Sequence, residues 1–163
     1  MKLSDKISLE IIKTCNSSSY DILLPNFFVG GYEMDVFKVS EAGFISEYEI
    51  KISKSDFKAD FKKDKKHDLL NAGKLSCNRY YFVTPKGLLE ITDIPKYAGW
   101  YEYSESGRLV LIKNAPLLHK NKFTDWKRLA QSASIRESIH RGKLRYCEYE
   151  LKQLRTKVSP QQA

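Results

Sequence analysis

The chain has 163 residues, 42% of them apolar and 29% charged, and a formal net charge of +8. That is enough chain for one domain with a real core. No apolar run reaches the length of a membrane span, and the short patch after Met1 is broken by Glu10, so neither a membrane protein nor a signal peptide is expected. Cys15, Cys77 and Cys147 are few and far apart, unlike a disulfide framework or a zinc site, which suits an intracellular protein, cytoplasmic or nucleoid-associated. The positive charge favours a polyanionic partner but does not by itself specify chemistry.

Leu3 to Cys15 reads as a first helix, with Leu3, Ile7 and Ile11 on one stripe, Ser4 as a candidate cap and Glu10 beside the stripe. Tyr20 to Val29 is a buried or partly buried apolar lead-in to the sheet around Pro25, with room for a short strand. From Gly31 to Lys66 the pattern is strand, turn, strand, helix. In the first strand Glu33 and Asp35 share one face, Met34 and Val36 the other. In the second, Glu47, Glu49 and Lys51 alternate with Tyr48, Ile50 and Ile52. Ala42-Gly43 is the turn.

Period then changes to helical. Ser53 followed by Asp56 fits a capping box, and one helix is expected over Lys54 to Lys66 with Phe57 and Phe61 inward. Its Asp56, Asp60 and Asp64, interleaved with lysines, read as a solvated face or, for Asp56, as support to the strand end nearby. Arg79 to Thr84 is aromatic and β-branched throughout, as a central strand requires. Two more strands follow, Trp100 to Tyr103 and Arg108 to Ile112. Tyr80, Tyr81, Trp100 and Trp126 read as core, and His67, His119 and His140 share no metal-ligand spacing. From Lys122 to Lys157 there are ten basic and four acidic residues in helical pattern, suited to phosphate contact or to packing with a wet basic face. The expected organisation is a core over 1–118, a basic helical extension over 119–158 and a tail over 159–163.

If the two strands form a hairpin, Asp35 stands beside Glu49 and Lys51. Two carboxylates and one ammonium on adjacent backbone are costly unless a cation or substrate compensates them. Opposed carboxylates suit a hard divalent ion, Mg²⁺ or Mn²⁺, and the carbonyl of Ile50 offers a third oxygen because its side chain points away. Such an ion polarises a phosphodiester and acidifies a bound water, and Lys51 reaches the water or the charge developing on phosphate.

The order D…E-x-K across a hairpin and into a helix resembles the PD-(D/E)XK nuclease superfamily, whose fold is restriction-endonuclease-like. The run E-I-K-I-S-K-S-D-F-K-A-D-F-K-K-D-K-K, the strand N-R-Y-Y-F-V-T-P and the later I-P-K-Y-A-G-W-Y-E-Y-S-E-S-G-R-L-V-L-I-K-N-A are similar to its MmcB-like branch, over roughly residues 1 to 118. Met34 replaces the namesake proline before Asp35. The resemblance implies an α/β mixed sheet flanked by helices, with Asp35 and Glu49 as metal ligands, Lys51 as catalytic lysine, Glu10 as an added first-helix acid and Asp56 as a recurrent aspartate. It implies a metal-dependent deoxyribonuclease of DNA repair, recombination or processing. Lys54, Lys58, Lys62, Arg128, Arg136, Arg141, Lys143 and Arg145 are candidate nucleic-acid contacts. A non-cutting nucleic-acid-binding module and a partner-binding structural protein remain the alternatives, and a homodimer or protein partner would let a small core act on both strands.

Overall fold

The computed structural model describes residues 1–16, 18–29, 31–62, 65–127, 129 and 131. The chain divides into two compact units, Met1–Thr124 and Asp125–Ala163. In the second, a helical turn begins at Trp126, and Leu129 N–H donates to the Asp125 carbonyl. The basic extension expected beyond it, with Arg128, Arg136, Arg141, Lys143, Arg145 and His140, lies outside the described residues.

The first unit is α/β. Helix α1 (Leu3–Thr14) precedes three strands, β1 (Ile22–Val29), β2 (Tyr32–Val39) and β3 (Ile45–Ile50). Two short helices follow, α2 (Lys54–Asp60) and α3 (Lys66–Asn71). Strand β4 (Arg79–Pro85), a 3₁₀ turn at Ile91–Asp93, β5 (Ala98–Tyr103) and β6 (Leu109–Lys113) complete it. The six strands form one mixed sheet in sequence order. β1-β2-β3 is an antiparallel meander, β3-β4-β5 is parallel, and β6 returns antiparallel to β5. A parallel neighbour demands a crossover, and α2 and α3 supply it between β3 and β4.

The two sheet faces differ in chemistry. On one, α1 lays Ile7 and Ile11 against Val36, Tyr48, Ile50, Tyr81 and Val83, with the Tyr48 and Tyr81 rings stacked at 5.3 Å. On the other, Phe57 of α2 packs edge-on against Phe82 at 4.9 Å, and Leu70 of α3 is fully buried. Here too lie Glu47, Glu49 and Lys51, because β3 alternates and each strand neighbour covers its flank. β4 is buried along its interior, as its continuous apolar run predicts.

Five expectations change, the first being that Phe61, expected inward with Phe57, is 41% exposed. The lead-in to β2 is a full eight-residue edge strand, and Pro25 is tolerated because an edge needs one ladder only. Ser4 does not cap α1; Lys2 N–H donates to the Asp5 carboxylate instead, and Ser4 sits inside the first turn. The helix expected over Lys54 to Lys66 ends at Asp60, and Lys65 adopts a left-handed conformation (φ 57°) before α3 starts. This break turns Lys66 inward. Finally, Trp126 is 43% exposed, whereas Trp100 is buried and donates its indole N–H to Thr84 Oγ1 at 2.9 Å.

One buried amide ties the end of the first unit to the sheet. Asn78 Oδ1 accepts from Ile45 N–H at 2.7 Å, and its Nδ2 donates to the carbonyls of His119 and Asn121. His119 in turn contacts the Leu75 carbonyl through Nε2 at 2.7 Å. The compact unit thereby extends past residue 118 to Thr124.

Candidate active site

The hairpin places the acids as the alternation requires. Val36 pairs with Tyr48 and Phe37 with Glu47, so the next step along the register sets Asp35 beside Glu49. Asp35 Oδ2 accepts from the Ile50 backbone N–H at 2.8 Å, which fixes its carboxylate at the end of β3. Ser53 Oγ accepts from Asp56 N–H at 3.1 Å, so the cap starts α2 directly after Lys51. The Ile50 side chain packs on the α1 face, away from Glu49.

Asp35, Glu49, Lys51 and Asp56 line one open cleft of about 630 Å³. Its opposite wall comes from α1 through Ser4, Asp5, Ser8, Leu9 and Ile12, and its rim from Pro25 and Asn26 of β1. Asn26 holds φ +48°, a left-handed conformation that Asn tolerates, at the register position facing Asp35. Glu10 is not among the lining residues. It accepts from Thr14 Oγ1 at 3.0 Å and lies 3.8 Å from Lys13, and the acid that α1 presents to the cleft is Asp5.

Behind the cleft runs a network of buried charge. Glu49 is 4% exposed, and both its oxygens are engaged: Oε1 with Lys51 Nζ at 2.8 Å, Oε2 with Lys66 Nζ at 2.9 Å. Lys51 also bonds Asp60 Oδ1 at 3.0 Å and lies 3.9 Å from Asp56. Lys66 also lies 3.0 Å from Glu47 Oε1, and its ammonium sits over the Tyr80 ring at 5.2 Å. That Glu47 oxygen is buried with this ion pair and no aligned hydrogen bond. Asp60, fully buried, continues through Oδ2 to His67 Nε2 at 2.9 Å, and His67 Nδ1 meets the Tyr97 hydroxyl at 2.7 Å.

The electrostatics follow from this pairing. Burial, with the Glu49 charge added, pushes the Asp35 carboxyl up to about 6. Burial also works to raise Glu49, but the Lys66 and Lys51 ammoniums override it and hold that carboxyl below its usual range. Burial alone would lower Lys51, yet Glu49 and Asp60 raise it, so it stays an ammonium at neutral pH. Lys66 is raised for the same reason by Glu47 and Glu49. Burial raises the Glu47 carboxyl.

Asp60, Lys66 and His67 therefore belong to the site's support, where a continuous helix with a wet acidic face was expected. The signal was present for Asp60, since it follows Phe57 by three and shares that inward face. Lys66 carried none, because the left-handed turn at Lys65 has no glycine to mark it. Lys54, Lys58 and Lys62 are exposed on or just after α2.

The fold has a known counterpart. A solved structure of a protein of unknown function from Silicibacter pomeroyi is similar to this chain with a TM-score of 0.64 over 91% of this chain and 94% of that one, at 19% sequence identity. The likeness extends to the fold. No family model matches the chain, and no curated protein matches it. No helix among the described residues is long and apolar enough to cross a membrane.

As a donor set for a metal, Asp35, Glu49 and the Ile50 carbonyl are hard oxygens that fit Mg²⁺ or Mn²⁺ with water completing the shell. Among the described residues no group of three or more His, Cys, Asp or Glu side chains is arranged to hold an ion, so this site would rely on two carboxylates.

Proposed function

We propose that this chain is a divalent-cation-dependent nuclease that hydrolyses DNA phosphodiester bonds on a restriction-endonuclease-like core. The observation that carries the reading is the arrangement of Asp35, Glu49 and Lys51 at one open cleft, on two adjacent strands and the residue that follows. The cleft carries four carboxylates, from Asp5, Asp35, Glu49 and Asp56, against the single ammonium of Lys51. A phosphate backbone enters such a cleft only with cations to screen it.

Each residue has a part that its surroundings support. Asp35 and Glu49 would hold Mg²⁺ or Mn²⁺, with the Ile50 carbonyl beside them. The bound ion would polarise the phosphodiester and acidify water. Lys51, kept protonated by Glu49 and Asp60, serves as a fixed positive charge for the phosphate in the transition state, not as a base. Asp56 holds the start of α2 through its N–H and lies near the Lys51 ammonium. Exposed Lys54, Lys58 and Lys62 would contact the DNA backbone outside the cleft. A second copy or another protein would be needed to bring a second such site to the opposite strand.

The test is a titration with Mn²⁺ or Mg²⁺ of the wild-type protein, Asp35→Ala and Glu49→Ala, alongside cleavage of labelled duplex, single-stranded, nicked, flap and junction DNA. Ion binding lost in both variants, and cleavage of at least one substrate lost in D35A, E49A and K51A, is the expected result. Cleavage surviving in all three variants rejects the assignment.

One observation favours a second reading. Because Glu49 is already neutralised by two ammoniums, the same face makes sense as a sealed ion-pair cluster in a DNA-binding module that does not cut. That module would bind DNA with strong salt dependence and show no turnover with either ion.

A further inference from the structure

We propose that Lys66 is an internal counter-cation that occupies Glu49 in place of a divalent ion and sets how tightly this site takes one. The inference rests on the reading of Asp35 and Glu49 as a cation site. Lys66 stands apart from its neighbours in a lysine-rich stretch: Lys62 and Lys65 are exposed, while Lys66 is 3% exposed and carried inward by the left-handed turn at Lys65. Its ammonium bonds Glu49 Oε2 at 2.9 Å from behind, and Lys66 is not among the residues that line the cleft. An ion arriving from the cleft meets a carboxylate whose two oxygens are both taken, so it must share or displace one ammonium.

Each of those ammoniums has a second acid to keep it. Lys51 has Asp60 at 3.0 Å, and Lys66 has Glu47 at 3.0 Å. Glu47 is 1% exposed and away from the cleft lining, so its carboxylate serves Lys66 and not an incoming ion. Lys66 can therefore yield Glu49 Oε2 while staying paired, and the site moves between an ammonium-filled and an ion-filled form without stranding a buried charge. Lys51 is the group reserved for phosphate, and Lys66 is the group that regulates occupancy. As a fixed positive charge next to a ligand, Lys66 lowers affinity for any cation there.

The experiment is calorimetric titration with Mn²⁺ alone, without DNA, of wild type, Lys66→Met, the double variant Glu47→Gln/Lys66→Met and Glu49→Gln, each with its thermal melt recorded. The double variant removes Glu47 together with its ammonium and leaves Glu49 paired with Lys51, so it does not strand the Glu47 carboxylate, and it decides the matter where K66M alone does not fold. The expected result is Mn²⁺ binding at least about tenfold tighter in K66M and in the double variant than in wild type, and lost in E49Q. A folded K66M or double variant that binds Mn²⁺ as wild type does, or more weakly, while E49Q has lost it, overturns the role of Lys66 and leaves the cation site standing. Mn²⁺ binding that survives unchanged in E49Q, or that neither wild type nor the lysine variants show, removes the cation site and the inference with it.

Discussion

Asp35→Asn should make the metal-free protein more stable at neutral pH. The carboxyl of Asp35 is raised from 3.8 to about 6 by burial and by the Glu49 charge. A group whose pKa is raised on folding favours the folded state when protonated, below its unfolded value, and loses that advantage as pH climbs through its folded value. Above about pH 6 the folded protein therefore carries a cost of ~2 pKa units, which is about 3 kcal/mol at roughly 1.36 kcal/mol per unit. Asn stays neutral and keeps an oxygen to accept the Ile50 N–H, so it should recover most of that at pH 7.5. For a chain of this size the melting point would rise by roughly 6–12 °C. At pH 4 wild-type Asp35 is already protonated when folded, and the gain should shrink below about 1 kcal/mol. Thermal and urea unfolding of both proteins in EDTA at the two pH values reads this directly. An Asn variant less stable than wild type at pH 7.5, or a gain that does not depend on pH, refutes the reasoning.

Other perturbations test the support of the site and the frame. Asp60→Ala strips a fully buried carboxylate from Lys51 and His67, and should cost about 3–5 kcal/mol in urea unfolding; a loss under 1 kcal/mol would mean the network is not formed. Asn78→Ala removes the acceptor for Ile45 N–H and the donor to two carbonyls, leaving buried polar groups unpaired at about 1–3 kcal/mol each. Hydrogen exchange at Ile45 should accelerate in that variant, and unchanged protection there would count against the tie. Gly99→Ala puts a methyl group 2.5 Å from the Ala115 backbone nitrogen and from the Tyr81 ring, where neither can yield easily. Its expected cost exceeds the ~1–3 kcal/mol of ordinary overpacking, and a melting point within 2 °C of wild type would show that β5 shifts freely.

The hairpin was legible because its alternation is strict and one turn holds it. Asp35, Glu49 and Lys51 needed only period two and a turn at Gly43 to share a face, and the structure brings them to one cleft. The α/β mixture followed from the order of helical and strand-like stretches, and the central place of β4 from its continuous aromatic and β-branched run. What sequence pattern failed to convey was depth. Glu47 and Glu49 lie on a strand with neighbours on both sides and helices over it, so their wet-looking alternation is in fact buried. A polar face on a central strand implies buried partners, and that implication points toward Lys66 and Asp60 without naming them. Glu10 enters only through the resemblance, as an added first-helix acid; of the acids on α1, Asp5 lines the cleft and Glu10 does not.

The meander and the crossover have different consequences for how the chain assembles. Asp35 and Glu49 meet through a local hairpin closed at Gly43, whereas Lys66 reaches Glu49, and Asp60 reaches Lys51, only after the crossover has docked beside β4. Local closures precede distant ones, so during refolding the two carboxylates face each other, with Lys51 already at the end of β3, before the Lys66 ammonium arrives. The nascent hairpin is the stage at which like charge is least compensated, and refolding in stopped flow should run faster near pH 5 than near pH 7.5, with added salt narrowing the gap. A refolding rate indifferent to both would place the crossover ahead of the hairpin.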